Sequence, residues 1–203
     1  MSFPFFNYFI KTASAEDVKY ASEISEEMAL SAVKRNLNIP LRDAEYISQK
    51  ILSGLAVIAL EEHTGEWAGF ICLEVWDNQR ILANTGLIIS EKHRERGLAK
   101  AIKLKAFELG RQNFPNAKIF SLTTNPKVVS ANQQLNYVEV DFSHVLTDDD
   151  FLSSNTSHVD YIALMQDPIL GEKYKAMMYY PESVIKLESQ EVNSMESRWL
   201  AQA

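Results

Sequence analysis

Residues 86–100 read Gly86-Leu87-Ile88-Ile89-Ser90-Glu91-Lys92-His93-Arg94-Glu95-Arg96-Gly97-Leu98-Ala99-Lys100. An apolar strand ends at Ile89, a short basic loop follows, and a helix rich in Ala, Leu and Lys starts near Gly97. The first amides of a helix have no intrahelical acceptor and lie at the positive end of its dipole, so a strand–loop–helix of this kind suits a diphosphate. Gly97 lets the backbone approach phosphates closely, Ala99 is nearly as small, and Arg94, Arg96 and Lys100 bring positive charge. A dinucleotide fingerprint needs three glycines here and a P-loop needs Gly-Lys-Ser/Thr, and this stretch has neither.

The surrounding pattern gives the frame. Residues 5–11 read as a strand, and Ser14 is placed to cap a helix over 15–34, with Glu16 and Asp17 near its positive end. A second helix is expected over 42–53, closed by Gly54. Runs 55–61 and 67–77 flank a His63–Glu66 turn as a hairpin, and 80–89 continues the meander. A helix over 97–112 follows, with Leu98, Ala101, Ile102 and Leu109 at helical spacing. Then come a strand at 117–124, a short helix at 126–134 and a strand at 137–145. Val159, Ile162, Ala163 and Gln166 predict short helices within 146–172, and 173–180 is strand-like. The order is that of a mixed α/β fold, a meander feeding a crossover, with about seven strands flanked by helices. Residues 1–180 are read as one domain carrying an acidic insertion at 146–172 between its last two strands. Pro181 opens a C-terminal helix over 181–203, where Val184, Leu187, Val192, Met195 and Trp199 form an apolar stripe. That stripe packs on its own domain or joins a homodimer.

Charge sharpens the reading. The 203 residues include 20 Lys and Arg against 27 Asp and Glu, a formal −7 that disfavours a nucleic-acid partner. Residues 90–127 alone carry nine basic side chains against three acidic ones, whereas 141–167 hold six Asp and no Lys or Arg. A basic patch concentrated on an acidic protein points to a specific anion site; a solvated helix face beside an acidic loop is the plainer alternative. The single cysteine, Cys72, rules out an internal disulfide and fits a reducing, cytoplasmic setting. No apolar run reaches the ~18 residues of a membrane span, so no membrane partner is expected. His144, His158 and Asp148–Asp150 match no metal-ligand spacing, and no metal is expected.

Arg94-Glu95-Arg96-Gly97-Leu98-Ala99 after Leu87-Ile88-Ile89 resembles the phosphate loop of the GNAT acyltransferase superfamily, Arg/Gln-x-x-Gly-x-Gly/Ala. Asn125 followed by a short helix ending Leu135-Asn136-Tyr137 resembles that family's second motif. The resemblance covers about residues 5–145. It implies an acyl-CoA-dependent N-acyltransferase: acetyl-CoA as donor, a small-molecule or peptide amine as acceptor, and direct attack on the thioester without a covalent intermediate. It implies that Leu87, Ile88 and Ile89 hold the pantetheine arm through backbone groups, with an amide near Ile89 on the thioester oxygen. Arg94 through Ala99 would hold the pyrophosphate, helped by Lys100, with Asn125 and Asn132 also at the cofactor. Three departures stand out. Glu95 replaces a common glycine, Asn136 replaces the glycine of Leu-Gly-Phe, and Asn132 stands where many members place the tyrosine that protonates the leaving thiolate. The general acid is therefore unassigned, and a non-catalytic acyl-CoA-binding domain is the alternative reading.

For the general base, alternation along 67–77 puts Glu74 on one face with Phe70, Cys72 and Trp76. A carboxylate in an apolar row is expected to hold its proton more tightly and so to suit proton abstraction from an amine.

Overall fold

The computed structural model describes residues 7–35, 42–76, 79–141 and 174–182. The acidic insertion, His144, His158, Asp148–Asp150 and the C-terminal apolar stripe lie outside the described residues. Seven strands form one mixed sheet: β1 (Tyr8–Thr12), β2 (Ala56–Glu61), β3 (Trp67–Trp76), β4 (Ile81–Ile89), β5 (Lys118–Thr123), β6 (Val138–Glu139) and β7 (Lys175–Tyr179). Their order across the sheet is β1-β2-β3-β4-β5-β7-β6. Among the described residues β4 and β5 are the one parallel pair, and every other neighbour is antiparallel.

Helices α1 (Ala21–Lys34) and α2 (Ala44–Leu52) cover one face, while α3 (Leu98–Asn113) and α4 (Pro126–Gln133) cover the other. On the first face Ile24, Ile47 and Ile51 meet Ile58, Trp67, Phe70 and Ile88. On the second, Leu98, Ile102, Ala106 and Leu109 meet Val57, Ile71 and Leu73. From Phe70 onward the alternation read along β3 holds, whereas Trp67, beyond a register irregularity, shares the core of Phe70.

Some expectations need correction. The helix expected over 15–34 begins as a 3-10 segment, Ala15–Tyr20, before α1. The Ser14 amide and hydroxyl there both donate to the buried Asp17 carboxylate, at 2.8 and 3.1 Å, and Lys11 pairs with it at 2.8 Å. Burial would raise the Asp17 carboxyl; Lys11 and Ser14 outweigh it and hold the group below its usual range. The strand expected over 137–145 is described only at Val138–Glu139.

One irregularity positions everything that follows. Phe70 pairs with Ile88 but Cys72 pairs with Thr85, so β4 carries an extra residue there, a bulge at Gly86 and Leu87. Gly86 takes φ +66°, which a side chain would strain, and a Cβ on it would come within 3.1 Å of Met28 and 3.2 Å of Arg42. The β4–β5 ladder covers only Ile81–Ala83 against Lys118–Phe120. Beyond it both strands continue, and the facing edges of Asn84–Ile89 and Ser121–Thr123 do not pair.

Candidate active site at the beta4–beta5 opening

The opening is bounded at the C-terminal end of β4 by the loop read from sequence. Ser90 donates to the Ala68 carbonyl on β3 at 3.0 Å, so the preceding amide, that of Ile89, points the other way, to the unpaired edge. Leu87 and Ile89 lay their side chains on the α3 face and Ile88 lies in the α1/α2 core. Glu95 and Gly97 both have positive φ, 64° and 76°, and Gly97 is the left-handed cap of α3. The amides of Glu95 through Ala99 have no acceptor among the described residues; the first amide of the turn to find one is that of Lys100, on the Gly97 carbonyl at 3.0 Å. A run of unpartnered amides at a helix start is an anion cradle.

The loop's side chains divide the work differently from the expectation. Arg94 Nε donates to the Ile89 carbonyl at 3.1 Å and its Nη2 meets Glu27 Oε1 at 2.5 Å, so this guanidinium ties β4 to α1. Arg96 Nη1 donates to the Tyr8 hydroxyl at 3.1 Å, and that hydroxyl lies 2.9 Å from Nδ1 of the buried His93. Lys100, exposed in the first turn of α3, has no ionic partner among the described residues, and exposed Arg96 is held only by the neutral Tyr8 hydroxyl. Asn125 caps α4, its Oδ1 accepting from the Lys127 amide at 2.9 Å. Asn136 adopts φ 63°, the left-handed conformation that its place in the motif requires.

On the α1/α2 side, Glu74 is 7% exposed and fully engaged. Its Oε1 accepts from the Tyr46 hydroxyl at 2.5 Å and stands 3.8 Å from Arg42 Nη2, and Trp76 Nε1 donates to Oε2 at 3.4 Å. Arg42 also donates to the Thr85 hydroxyl on β4 and lies over the Tyr46 ring, 5.4 Å from its centre. Burial first, then the neighbouring Cys72 and Glu74, pushes the Tyr46 phenol far up against the pull of Arg42. Burial likewise raises the Cys72 thiol to about 11, which keeps it protonated and unreactive. Arg42, Tyr46 and Thr85 escaped the sequence reading; the spacing of Arg42 and Tyr46, four residues apart at the start of α2, was the available signal.

On the α3/α4 side, Asn84 Nδ2 donates to the Tyr137 hydroxyl at 2.9 Å, and the wholly buried Asn132 donates to Ser121 Oγ at 3.1 Å. The Oδ1 atoms of Asn84 and Asn132 are buried without partners among the described residues. Lys103 is 2% exposed, so one of the nine basic residues of 90–127 is not surface charge at all.

A family model, the acetyltransferase (GNAT) family, matches residues 28–135, just over half of the chain. The chain belongs to the GNAT acetyltransferase family. No curated protein sequence matches it. Among solved structures it is similar to N-acetylglutamate synthase from Neisseria gonorrhoeae complexed with coenzyme A and N-acetylglutamate, at TM-score 0.60 and 13% identity. That match covers 89% of this chain but 35% of the synthase, so the chain spans about a third of its length. It is also similar to a GNAT-family acetyltransferase from Staphylococcus aureus Mu50 (TM-score 0.54, 18% identity, 85% of this chain and 98% of that one). A third is a phosphinothricin acetyltransferase from Sinorhizobium meliloti in complex with acetyl-CoA (TM-score 0.54, 19% identity, 67% and 77%). These likenesses show the fold. No helix among the described residues is long and apolar enough to cross a membrane.

Proposed function

We propose that this protein transfers an acetyl group from acetyl-CoA to a primary amine, on a small molecule or a peptide, by direct attack on the thioester. The observation that carries the reading is the parting of β4 from β5 after Ala83 and Phe120, with five unpartnered amides at the end of the same opening. An extended pantetheine arm needs backbone partners along an open strand edge, and a pyrophosphate needs amide donors at a helix start. In this arrangement Leu87–Ile89 hold the arm, the amides of Glu95–Ala99 and the Lys100 ammonium hold the pyrophosphate, and the Ile89 amide donates to the thioester oxygen. That donor is fixed before charge develops on the oxygen, which is how an oxyanion site lowers a barrier. Glu74, on the opposite face of β3, takes the proton of the attacking amine, held in place by Tyr46 and Trp76.

Thiol release from acetyl-CoA, followed across a mixed panel of amines and amino-terminal peptides, tests this reading. Acceptor-dependent release is expected, together with a Gly97→Val variant that binds CoA at least ~10-fold more weakly, because φ +76° excludes a β-branched residue. Tight CoA binding with no acceptor-dependent release anywhere would replace it with a non-catalytic acyl-CoA sensor. Normal CoA affinity in the Gly97 variant would sink the loop assignment.

A further inference from the structure

We propose that Lys103 is the proton donor to the departing CoA thiolate, the role left open by Asn132. The inference rests on the acyl-transfer reading above. Its position follows from the helix. A Cβ on Gly110 would lie 3.1 Å from Leu82 and 3.5 Å from Ile119, so that residue stands over the paired part of β4 and β5. Phe107, on the same stripe, packs its ring against Tyr137 and Tyr179. Because α3 returns from the C-terminal end of β4 to the start of β5, Lys103 lies two turns nearer the opening. Two turns are about 10 Å, or roughly three strand residues, which carries it past Ala83 and Phe120 to where the ladder has ended. The side chains that β4, β5 and α4 send to this face are Asn84, Ser121 and Asn132, two of them with orphaned oxygens.

A buried lysine normally has a carboxylate partner. Burial alone acts on Lys103, and it lowers the ammonium to about 8, close to an ordinary thiol. An acid matched in this way to its proton acceptor transfers a proton with little thermodynamic penalty. Tyr137, the phenol bonded to Asn84 on this face, is pushed up by burial, so it keeps its proton. The step balances. As the tetrahedral intermediate collapses, the C–S bond breaks and its electron pair goes to sulfur. The sulfur takes a proton from Lys103 Nζ, and the neutral amine is reprotonated from water. The acceptor's proton leaves through Glu74.

CoA itself is the probe. The ultraviolet absorbance of its thiolate, titrated from about pH 6 to about pH 10 while bound, reads the charge beside the sulfur without any acceptor. In the wild type the bound thiol is expected to titrate at least ~1 unit below free CoA, as it would with an ammonium within a few ångströms. In Lys103→Met and Lys103→Gln that lowering is lost while CoA affinity stays within about threefold, and Tyr137→Phe behaves as wild type. Identical titrations in wild type and both Lys103 variants, or a shift that follows Tyr137→Phe instead, overturn the assignment while CoA binding leaves the acyl-CoA reading standing. Absence of CoA binding in the wild type overturns both. Once an acceptor is known, kcat should fall by about 10²-fold or more in Lys103→Met, with the wild type's alkaline limb near pH 8 abolished.

Discussion

The carboxylate on one face of the β4–β5 opening and the ammonium on the other meet burial in opposite ways. On the α1/α2 face, Glu74 lies among Tyr46, Trp76 and Arg42, and Thr85 accepts from Arg42, so charge and donors meet across three elements. On the α3/α4 face, Lys103 has no counter-ion among the described residues, and the Oδ1 atoms of Asn84 and Asn132 are unpartnered. A completed network is rigid and self-supporting, whereas unpaired buried groups cost free energy until something else satisfies them. In the proposed reaction the first face holds the base in place, and the second receives a ligand whose polar atoms supply what the fold omits.

The widest separation between the faces should appear in Glu74→Gln. The amide retains the volume and can still accept from Tyr46, but it cannot take up a proton. Turnover is expected to fall by about 10²–10³-fold with CoA affinity unchanged, as measured by initial rates beside calorimetric CoA titration. Unchanged turnover would remove the catalytic role of this face and leave it a structural network.

Lys103→Met tests the other face through stability. Below about pH 8 the ammonium is charged in folded and unfolded chains alike, and the native state bears the whole cost of burying it. Between about 8 and the ordinary lysine value of 10.5 the unfolded chain binds more protons, so wild-type stability rises with pH. The methionine variant lacks that rise. Urea unfolding at pH 7 should show it more stable by about 3 kcal/mol, the gain shrinking through this window and vanishing above it. A variant less stable than wild type at pH 7 would mean that the ammonium has a partner.

How much of this could be read from the sequence differs by face and by element. The strand–loop–helix at 86–100 and the sheet around it are carried by local signals: period-two runs, a turn, a glycine with positive φ, a basic loop. Glu74 was legible because it breaks an apolar alternation. Lys103 was not, because a lysine one residue after Ile102 on an amphipathic helix reads as solvated, and only the packing of α3 in the tertiary fold buries it. Arg42, Tyr46 and Thr85 come from segments far apart in the chain, and nothing local announces that they converge on one carboxylate. The same holds for Arg94, whose guanidinium meets Glu27 on α1, a partner far away in the chain.

Tyr46→Phe gives a smaller effect on the paired face. It removes the 2.5 Å donation to Glu74 but keeps the ring under Arg42. A hydrogen bond to a charged group is worth about 1.5–3 kcal/mol, so a loss near the lower end of that range is expected in urea unfolding, with turnover reduced several-fold as the carboxylate loosens.

The smallest effect, and the one that separates the two faces most directly, is expected of Asn132→Leu. This change gives up a hydrogen bond to Ser121, worth about 1 kcal/mol, and a weaker one to the Met177 sulfur, and removes a buried oxygen whose desolvation is unrepaid, about 1–3 kcal/mol. Rotating the amide would exchange which of its two polar atoms is orphaned and leave the balance where it was. The leucine also adds buried apolar area. Stability should therefore be unchanged or raised by about 1 kcal/mol, the opposite sign from Tyr46→Phe, although both variants delete a buried polar group. In the proposed reading CoA affinity should fall several-fold in the same protein, because Oδ1 is a polar atom on this face that no described residue satisfies. A loss of more than about 2 kcal/mol with CoA binding intact would show that Asn132 belongs to the packing of β5 and β7 and not to the opening.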